Sequence, residues 1–496
     1  MSRPVTVIGA GLAGCEAVWA LAKAGESVRL YEMKPLKYSP AHHCENFAEL
    51  VCSNSLKAIR AETASGLLKA EMRRLGSLTM EAAEATAVPA GGALAVDREA
   101  FSAYVTERIC SLPNVEILRE ELTELPAEGV VVCATGPLTS DGLAAYLSEL
   151  FGGTLSFYDA VAPIVSAESV DFTKCFYGAR WDHGDPDYLN CPMNKEQYEA
   201  FEEALLCAER AELHAFDAPP KVYEGCMPVE IMASRGPDTL RYGPMRPVGL
   251  RDPATGRRPW ANVQLRKENR EGTMLNLVGF QTNLKWGEQK RVFSMIPGLE
   301  HADFLRYGVM HRDTFMDSPR LLSAALSLRG DGRLFFAGQL TGVEGYMESA
   351  ATGILAGVNA HRYMAGEAPL ILPRETMLGA LTRYISGADR AEPAADLEEP
   401  ENPASPEDLR PSSPRPAESA ADLEEPENPA SPESLRPSSP RPAEFQPMGS
   451  NMGLLPPLET RIRGKQERYL ALSERALAAL DALLNEATVS PGKEEF

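Results

Sequence analysis

The stretch that decides the fold is VTVIGAGLAGCEAVWALAKAGESVRLYE, residues 5–32. A short apolar run predicts a buried strand, and the glycine pattern G-x-G-x-x-G follows it directly and opens a helix. Gly9 permits the tight turn, Gly11 lets the backbone approach a pyrophosphate, and Gly14 lets helix and strand pack closely. The helix start offers free N–H groups to the phosphates, and Glu32 can accept hydrogen bonds from ribose hydroxyls. The predicted dinucleotide site comprises Gly9, Ala10, Gly11, Leu12, Ala13, Gly14 and Glu32.

The rest of the chain continues the strand–helix alternation of a doubly wound sheet. GVVVCATGP at 129–137 is typical of a buried strand that ends in a glycine turn, and residues 332–360 repeat a strand–turn–helix pattern. Residues 166–314 are richer in Pro, Gly and Arg and have short alternating runs. The expected fold class is α/β: a Rossmann-like dinucleotide domain with a doubly wound parallel sheet and an α+β insertion domain.

These changes in pattern predict five segments. They are a first part of the dinucleotide domain, an insertion on the substrate side, a second part of the dinucleotide domain, an acidic repeat, and a return to the dinucleotide domain that ends in an amphipathic helix. We expect their boundaries at 1–165, 166–314, 315–390, 391–442 and 443–496.

An internal repeat interrupts the later part of the chain. Residues 391–416 and 417–442 differ at two positions and are rich in Pro, Glu and Ser. Together they hold thirteen acids and four arginines, so they supply −9 of the formal net charge of −21. This composition predicts a disordered insertion. A tolerated loop expansion is favoured over an acidic interaction tail.

Composition limits the classes of protein that need to be considered. No run of 18 apolar residues is present, and the start lacks the layout of a signal peptide, so no membrane segment is expected. The nine cysteines are scattered and show no CxxC spacing, which argues against a disulfide framework and against a metal site of the zinc type. These features favour a reducing cytoplasm.

Three glycine turns favour FAD over NAD as the resident dinucleotide. Only one G-x-G-x-x-G pattern is present, whereas ATGP at 134–137 and FAGQLTGVEGY at 336–346 suit a chain that brings distant segments back to a flavin. We therefore add Gly136, Gly338 and Gln339 to the expected FAD-binding residues. NAD(P)H would then be a visiting reductant.

Two cysteines lie in polar sequence that is unusual for a buried thiol. Cys52 lies in AELVCSNSLKA beside small polar residues, with Lys57 as a candidate cation to stabilise its thiolate. Cys226 lies in KVYEGCMPVE, which predicts an irregular loop of the kind that displays reactive groups. The other cysteines fit the role of inert core residues.

A basic segment lies within this acidic chain. Residues 235–270 hold nine basic and three acidic residues, with aromatic residues between them. Such a segment suits a phosphate backbone, but arginines paired with acids elsewhere on the fold explain it equally well. From the residues alone, three kinds of protein remain open: a flavin oxidoreductase of small molecules, a flavin-dependent nucleic-acid modifying enzyme, and a flavin-stabilised binding protein.

The motifs resemble those of a known family. VIGAGLAGCEA, ELVCSNSLKA, YEGCMPVEIMASRG, LVGFQTNLKWGEQKRVFSMIPGLE and FAGQLTGVEGYMESAATG are similar to those of the TrmFO family, the folate- and FAD-dependent tRNA (uracil-5-)-methyltransferases. The resemblance covers nearly the whole chain except 391–442. The GidA family of wobble-uridine modifying enzymes is a more distant relative, and a GidA-like reaction remains the alternative.

The resemblance implies methylation of C5 of uridine 54 in the T loop of tRNA. It implies 5,10-methylenetetrahydrofolate as carbon donor, FAD as cofactor and NAD(P)H as reductant. It further implies Cys226 as the nucleophile at uracil C6 and Cys52 as the group that takes the C5 proton or guards the flavin, although the two roles could be exchanged. The cations expected to contact the T-arm are Arg235, Arg241, Arg246, Arg266, Lys285, Lys290 and Arg291.

Overall fold

The computed structural model describes residues 3–153, 155–160, 162–182, 185–211, 227–308, 310–388, 445–460 and 462–489. The chain divides into one compact unit of residues 1–389 and 447–496, and a second of residues 390–446. Nearly all of the second unit, including the predicted disordered repeat, lies outside the described residues, and so does Cys226.

The strands of the described residues follow the alternation that the sequence predicts. In chain order they are β1 (Val5–Ile8), β2 (Val28–Tyr31), β3 (Ser55–Ala58), β4 (Ala87–Val88), β5 (Ala93–Val96), β6 (Val115–Leu118), β7 (Val131–Cys133), β8 (Leu155–Ala160), β9 (Ile164–Ser166), β10 (Phe176–Tyr177), β11 (Leu189–Met193), β12 (Ala261–Lys267), β13 (Met274–Leu277), β14 (Phe304–Arg306), β15 (Met310–Phe315), β16 (Ser327–Leu328) and β17 (Asp331–Phe336).

The helices include the two that flank the glycine turns and the predicted C-terminal amphipathic helix. In chain order they are α1 (Leu12–Lys23), α2 (Ala64–Arg74), α3 (Leu78–Ala85), α4 (Arg98–Cys110), α5 (Asp141–Phe151), α6 (Lys195–Leu206), α7 (Val229–Ala233), α8 (Thr239–Tyr242), α9 (Trp286–Phe293), α10 (Ser318–Leu321), α11 (Tyr346–Met364), α12 (Met377–Ser386) and α13 (Lys465–Val489).

A six-stranded sheet forms the centre of the dinucleotide domain, in the order β16-β17-β7-β1-β2-β6. The pairs from β17 to β6 are parallel, and β16 is antiparallel at one edge. The predicted α/β fold with a parallel doubly wound sheet is confirmed. Because the carboxyl ends of β1, β2, β7 and β17 lie at one edge, the three glycine turns that follow or flank them meet there.

A second sheet, in the order β10-β11-β12-β13-β9-β14, is antiparallel at every pair. Its strands and helices α6 to α9 bury a separate cluster of apolar side chains, including Val263, Phe280 and Phe293. Strands β8 and β15 form a two-stranded antiparallel ribbon. Most of this α+β architecture lies in the predicted insertion, residues 166–314, but β8 and the start of β9 precede it and β15 ends at Phe315. The exact domain boundaries stay a prediction.

Helix α1 packs on α11 at a distance that only glycine allows. A Cβ atom added to Gly353 would lie 2.1 Å from the carbonyl oxygen of Ala13, and one added to Gly357 would lie 2.8 Å from that of Ala17. The backbones of α1 and α11 therefore touch at two places, about one helical turn apart. This contact fixes where the first residue of α11, Tyr346, lies relative to the glycine turn.

The C-terminal helix α13 returns to the first part of the chain. Arg74 of α2 forms an ion pair with Asp481, and the Ser473 hydroxyl donates to the carbonyl of Ala61. None of the described helices is both long and apolar enough to span a bilayer.

Replacing Gly353 with alanine should destabilise the fold, because the added methyl carbon would lie 2.1 Å from a backbone carbonyl oxygen of α1, well inside van der Waals contact. We expect the midpoint of thermal unfolding to fall by about 4 °C or more. Gly287→Ala is the matched control, since a Cβ on Gly287 meets no atom within 4 Å and this residue also lies in a helix. Equal midpoints for the two variants would contradict the proposed close contact of α1 and α11.

Candidate functional site

One cleft opens at the carboxyl edge of the first sheet and collects most of the predicted cofactor residues. Its empty space, with open solvent at the mouth included, is about 1110 Å³. The predicted residues that line it are Gly9, Ala10, Gly11, Leu12, Ala13, Glu32, Gly136, Gly338 and Gln339. All three glycine turns therefore contribute to one cleft, as expected for a dinucleotide site built from distant segments.

The three glycines of the first turn have distinct surroundings. Gly9 has φ of +94°, and a Cβ there would lie 2.8 Å from the carbonyl oxygen of Ala134. Gly14 lies beneath the cleft, where a Cβ would lie 1.8 Å from the carbonyl oxygen of Gly9. A Cβ on Gly11 would meet no atom within 4 Å. Gly11 thus borders open space at the start of α1, which has no side-chain cap, and this geometry fits a bound pyrophosphate.

Glu32 is buried at the end of β2 and holds the glycine turn as well as facing the cleft. Its Oε2 accepts from the Ala10 N–H at 2.8 Å, and its Oε1 accepts from the Lys34 N–H at 2.9 Å. Each carboxylate oxygen has a second lone pair, so a ribose hydroxyl can still donate to it. The residue predicted for the ribose therefore also fixes the backbone of the phosphate turn.

The Cys52 thiol contacts a residue that also lines the cleft. Its sulfur donates to the Tyr346 hydroxyl oxygen at 2.9 Å, and the Cys52 N–H donates to the same oxygen at 2.7 Å. Burial, followed by the charge of Cys52, raises the pKa of the Tyr346 hydroxyl well above its ordinary value. The phenol therefore stays protonated at neutral pH and can donate a hydrogen bond to the thiolate form of Cys52.

Buried charged side chains hold the loop that carries Cys52. Arg98 donates to the carbonyls of Leu50 and Val51 at 2.7 and 3.2 Å, and its Nε lies 2.5 Å from Oε2 of Glu268. Burial opposes the charge on Arg98, but Glu268 outweighs burial and raises the pKa of the guanidinium. The loop is thereby tied to the end of β12 in the second sheet.

Lys57 forms an ion pair with a buried carboxylate. Its ammonium lies 3.1 Å from Oε1 of Glu348, a fully buried carboxylate in the first turn of α11 that also accepts from Ser450. Burial raises the pKa of Glu348, but Lys57 and the hydrogen bonds from Ser450 and the backbone together outweigh burial and lower it. The charge of Arg98 interacts with Cys52. The role of Lys57 as a cation that stabilises the thiolate stays a prediction.

Sequence reasoning missed Tyr346, Arg98 and Glu268. Tyr346 follows Gly345 at the start of a long helix, and an aromatic residue beside a glycine turn was a usable signal. Nothing in the local sequence indicated the pairing of Arg98 with Glu268, because the two residues are 170 positions apart.

The predicted tRNA-binding cations fall into three groups. Arg266 is buried, and it donates to Asn54 and Ser53 next to Cys52, so it does not belong to an exposed surface. Three others contact acids, namely Arg241 with Asp238, Lys285 with Glu209 and Arg291 with Glu288. Arg235, Arg246 and Lys290 are exposed. Some of these cations are thus paired with acids, and others are exposed as a phosphate-binding surface requires.

Tyr346→Phe should raise the pKa of the Cys52 thiol by about one unit, because the thiolate loses a hydrogen-bond donor. The measurement is the rate of Cys52 alkylation against pH, with the Cys52 peptide resolved by mass spectrometry. Tyr363→Phe, in the last turn of the same helix, is the control and should leave the profile unchanged. Superimposable profiles for Tyr346→Phe and the unsubstituted protein would show that the phenol does not act on the thiol.

Sequence comparison identifies relatives that align along the whole chain. Proteins named methylenetetrahydrofolate--tRNA-(uracil-5-)-methyltransferase TrmFO from Geobacter sulfurreducens and Pelotomaculum thermopropionicum are 53% and 52% identical. The alignments cover 97% of this chain in both cases, and 99% and 98% of the relatives. A protein of the same name from Desulforudis audaxviator is 53% identical over 98% of this chain and 99% of its own length.

The wider superfamily is visible in both sequence and fold. The family model described as glucose inhibited division protein A matches residues 4–368. The structure of Aquifex aeolicus GidA in its form II crystal is 17% identical and superposes with a TM-score of 0.60, covering 78% of this chain and 67% of that chain. At this identity the likeness concerns the fold alone. From the full-length relatives, this chain belongs to the TrmFO family of methylenetetrahydrofolate--tRNA-(uracil-5-)-methyltransferases.

Proposed function

We propose that this protein is a folate-dependent tRNA methyltransferase that converts uridine 54 of the T loop to 5-methyluridine. It takes the carbon from 5,10-methylenetetrahydrofolate and requires FAD and NAD(P)H. One structural observation gives the strongest support: Tyr346 lines the dinucleotide cleft and also contacts the Cys52 thiol. A reactive sulfur thus adjoins the place where the cofactor would bind, and the family relationship supplies the substrate class.

The residues that would hold FAD are those of the glycine turns and Glu32. Gly9, Gly11 and the uncapped start of α1 suit the pyrophosphate, and Glu32 suits the adenosine ribose. Gly136 and Gly338 border the same cleft. Bound FAD, once reduced by NAD(P)H, supplies the two electrons that a methylene-level carbon needs to become a methyl group.

Two thiols would carry out the chemistry on the uracil ring. C5 of uracil is a weak nucleophile, so a thiolate that adds to C6 is needed to make C5 an enolate carbon. We assign this addition to Cys226, on the basis of the family resemblance. After C5 has bonded to the one-carbon unit, its proton must leave, and elimination of the Cys226 sulfur then restores the ring.

We assign removal of the C5 proton to Cys52. Its thiolate accepts the proton from C5, while the Tyr346 hydroxyl and the positive charge of Arg98 stabilise the thiolate before the transfer. Both supporting groups are partly buried, so their interactions with the sulfur are screened less than those at an open surface. The uridine itself has to leave the loop stack to reach these groups.

We propose a reducing cytoplasm as the location of the protein. The eight described cysteines are free thiols, and the proposed substrate is a tRNA. The exposed cations Arg235, Arg246 and Lys290 are the candidates for contact with the T-arm backbone.

Gly11→Ala should fold normally and bind FAD at least about tenfold more weakly. Its φ of −75° suits alanine and the added methyl meets no protein atom, so the methyl can only obstruct a ligand. The measurements are flavin content after purification and the Kd for FAD by fluorescence quenching. Gly92→Ala, equally open but outside the cleft lining, is the control. Wild-type FAD affinity in Gly11→Ala would contradict the assignment of the pyrophosphate to this turn.

The activity is tested with an unmodified tRNA transcript, 5,10-methylenetetrahydrofolate and NADPH, followed by mass spectrometry of the digested nucleosides. We expect 5-methyluridine with the wild-type protein and at least about a hundredfold less with Cys226→Ala or Cys52→Ala. Cys110→Ala, an exposed thiol at the end of α4, should be fully active. A transcript with cytidine at position 54 should not be methylated.

Other outcomes would select among the alternatives. Flavin reduction by NADPH without modified nucleoside would favour a small-molecule oxidoreductase. A modified uridine in the anticodon loop would favour a GidA-like reaction. This alternative is tested because the family model described as glucose inhibited division protein A matches the chain.

A further inference from the structure

Trp181 combines a strained backbone with an exposed ring. Its φ and ψ of 56° and 24° lie in the left-handed region, which bulky side chains rarely adopt. It is nevertheless 54% exposed, so burial of the indole does not explain the strain. Strained residues persist where the surrounding structure holds them, and they concentrate at functional sites.

Contacts of Trp181 and of its neighbour Arg180 join this turn to the segment around Gly249. The Trp181 N–H donates to the carbonyl of Gly249 at 2.7 Å, and a Cβ on Gly249 would lie 2.7 Å from Cδ2 of the indole. The ring therefore rests directly on the backbone of a glycine whose φ is +83°. Beside it, Arg180 donates to the Val248 carbonyl and to Gln264 of β12. The backbone of Trp181 is thus hydrogen-bonded, and one part of its ring lies against Gly249 while the ring remains exposed.

Two guanidinium groups lie near the indole. The guanidinium of Arg246 lies 5.9 Å from the ring centroid and is exposed. Burial and then the charge of Arg246 lower the pKa of Arg180, which shows that two guanidinium groups lie close together. Among the described residues, Arg246 and the exposed Arg251 make no ion pair with an acid. Two cations without carboxylate partners suit an anionic ligand.

Two further exposed aromatic residues lie in the basic segment 235–270. Tyr242 is 84% exposed, and Trp260 carries the Arg241 guanidinium 3.9 Å from its ring centroid. Flat rings interleaved with guanidinium groups match a single-stranded nucleic acid, whose bases stack on the rings while its phosphates pair with the cations. A regular RNA duplex offers no free base face, so a duplex alone does not explain the exposed indole.

We propose that Trp181 is a stacking platform for an unpaired base of the tRNA, and that Arg246 contacts the adjoining phosphate. The inference rests on the proposed tRNA substrate and adds the site at which a looped-out or unpaired nucleotide is held. Stacking is sequence-tolerant, so the platform would orient the tRNA and leave the choice of the target base to the active site.

The test is the Kd of the full-length protein for an unmodified tRNA transcript at two salt concentrations, and for a perfectly paired RNA duplex. Trp181→Leu, which keeps the apolar bulk, should weaken tRNA binding about tenfold and leave the salt slope and duplex binding unchanged. Trp181→Phe should restore most of the affinity. Arg246→Gln should reduce the slope of log K against log salt by about one. Tyr363→Ala, 49% exposed on α11, is the matched control.

The outcomes separate this inference from the proposed function. If the wild type binds and methylates tRNA while Trp181→Leu binds it with unchanged affinity, the stacking role is wrong and the methyltransferase proposal stands. Equal losses for tRNA and duplex would also overturn the stacking role, since a base face would then not be the ligand. A wild-type protein that does not bind tRNA would overturn both proposals.

Discussion

The close contact of α1 with α11 is the constraint on which the candidate site depends. Because Gly353 lets the two backbones touch, the start of α11 is held beside the glycine turn that opens α1. Tyr346 is the first residue of α11, so its ring is fixed at the cleft wall while its hydroxyl contacts Cys52. One helix thereby links the cofactor cleft to the reactive sulfur.

Buried charge holds the other side of the thiol. Burying Arg98 and Glu268 costs solvation free energy that their mutual attraction offsets only in good geometry, so such a pair is poor evidence for stability. Its consequence here is positional: Arg98 binds the two carbonyls that precede Cys52, and Arg266 binds the two side chains that follow it. The loop between is fixed at both ends by residues of α4 and β12.

Local sequence pattern predicted the parts of the protein that local physics controls. The first glycine turn and the parallel sheet follow from periodicity and from the conformational freedom of glycine. The return of the later glycine turns to the same cleft follows from the same pattern. The partner of Cys52 did not follow, because Tyr346 lies 294 residues away and only the fold brings it close. The ion pair of Lys57 with Glu348 was hidden for the same reason, since 291 residues separate the two. The buried position of Arg266 was equally invisible, because both faces of β12 are covered there: the consecutive residues Leu265 and Arg266 are both buried.

Two thiols are proposed to act in turn on the uracil ring. Cys226 adds to C6 and saturates the C5=C6 double bond, and loss of the C5 proton to Cys52 with elimination of Cys226 restores it. The most direct test of this claim is tritium release from a tRNA transcript labelled with [5-³H]uridine, followed together with the transfer of ¹⁴C from labelled methylenetetrahydrofolate. We expect the wild type to release one tritium for each ¹⁴C that it transfers to the tRNA. In Cys52→Ala we expect the carbon to become attached to C5 while the tritium is retained. Carbon transfer by wild type without tritium loss, or tritium loss at wild-type rate in Cys52→Ala, would contradict this claim.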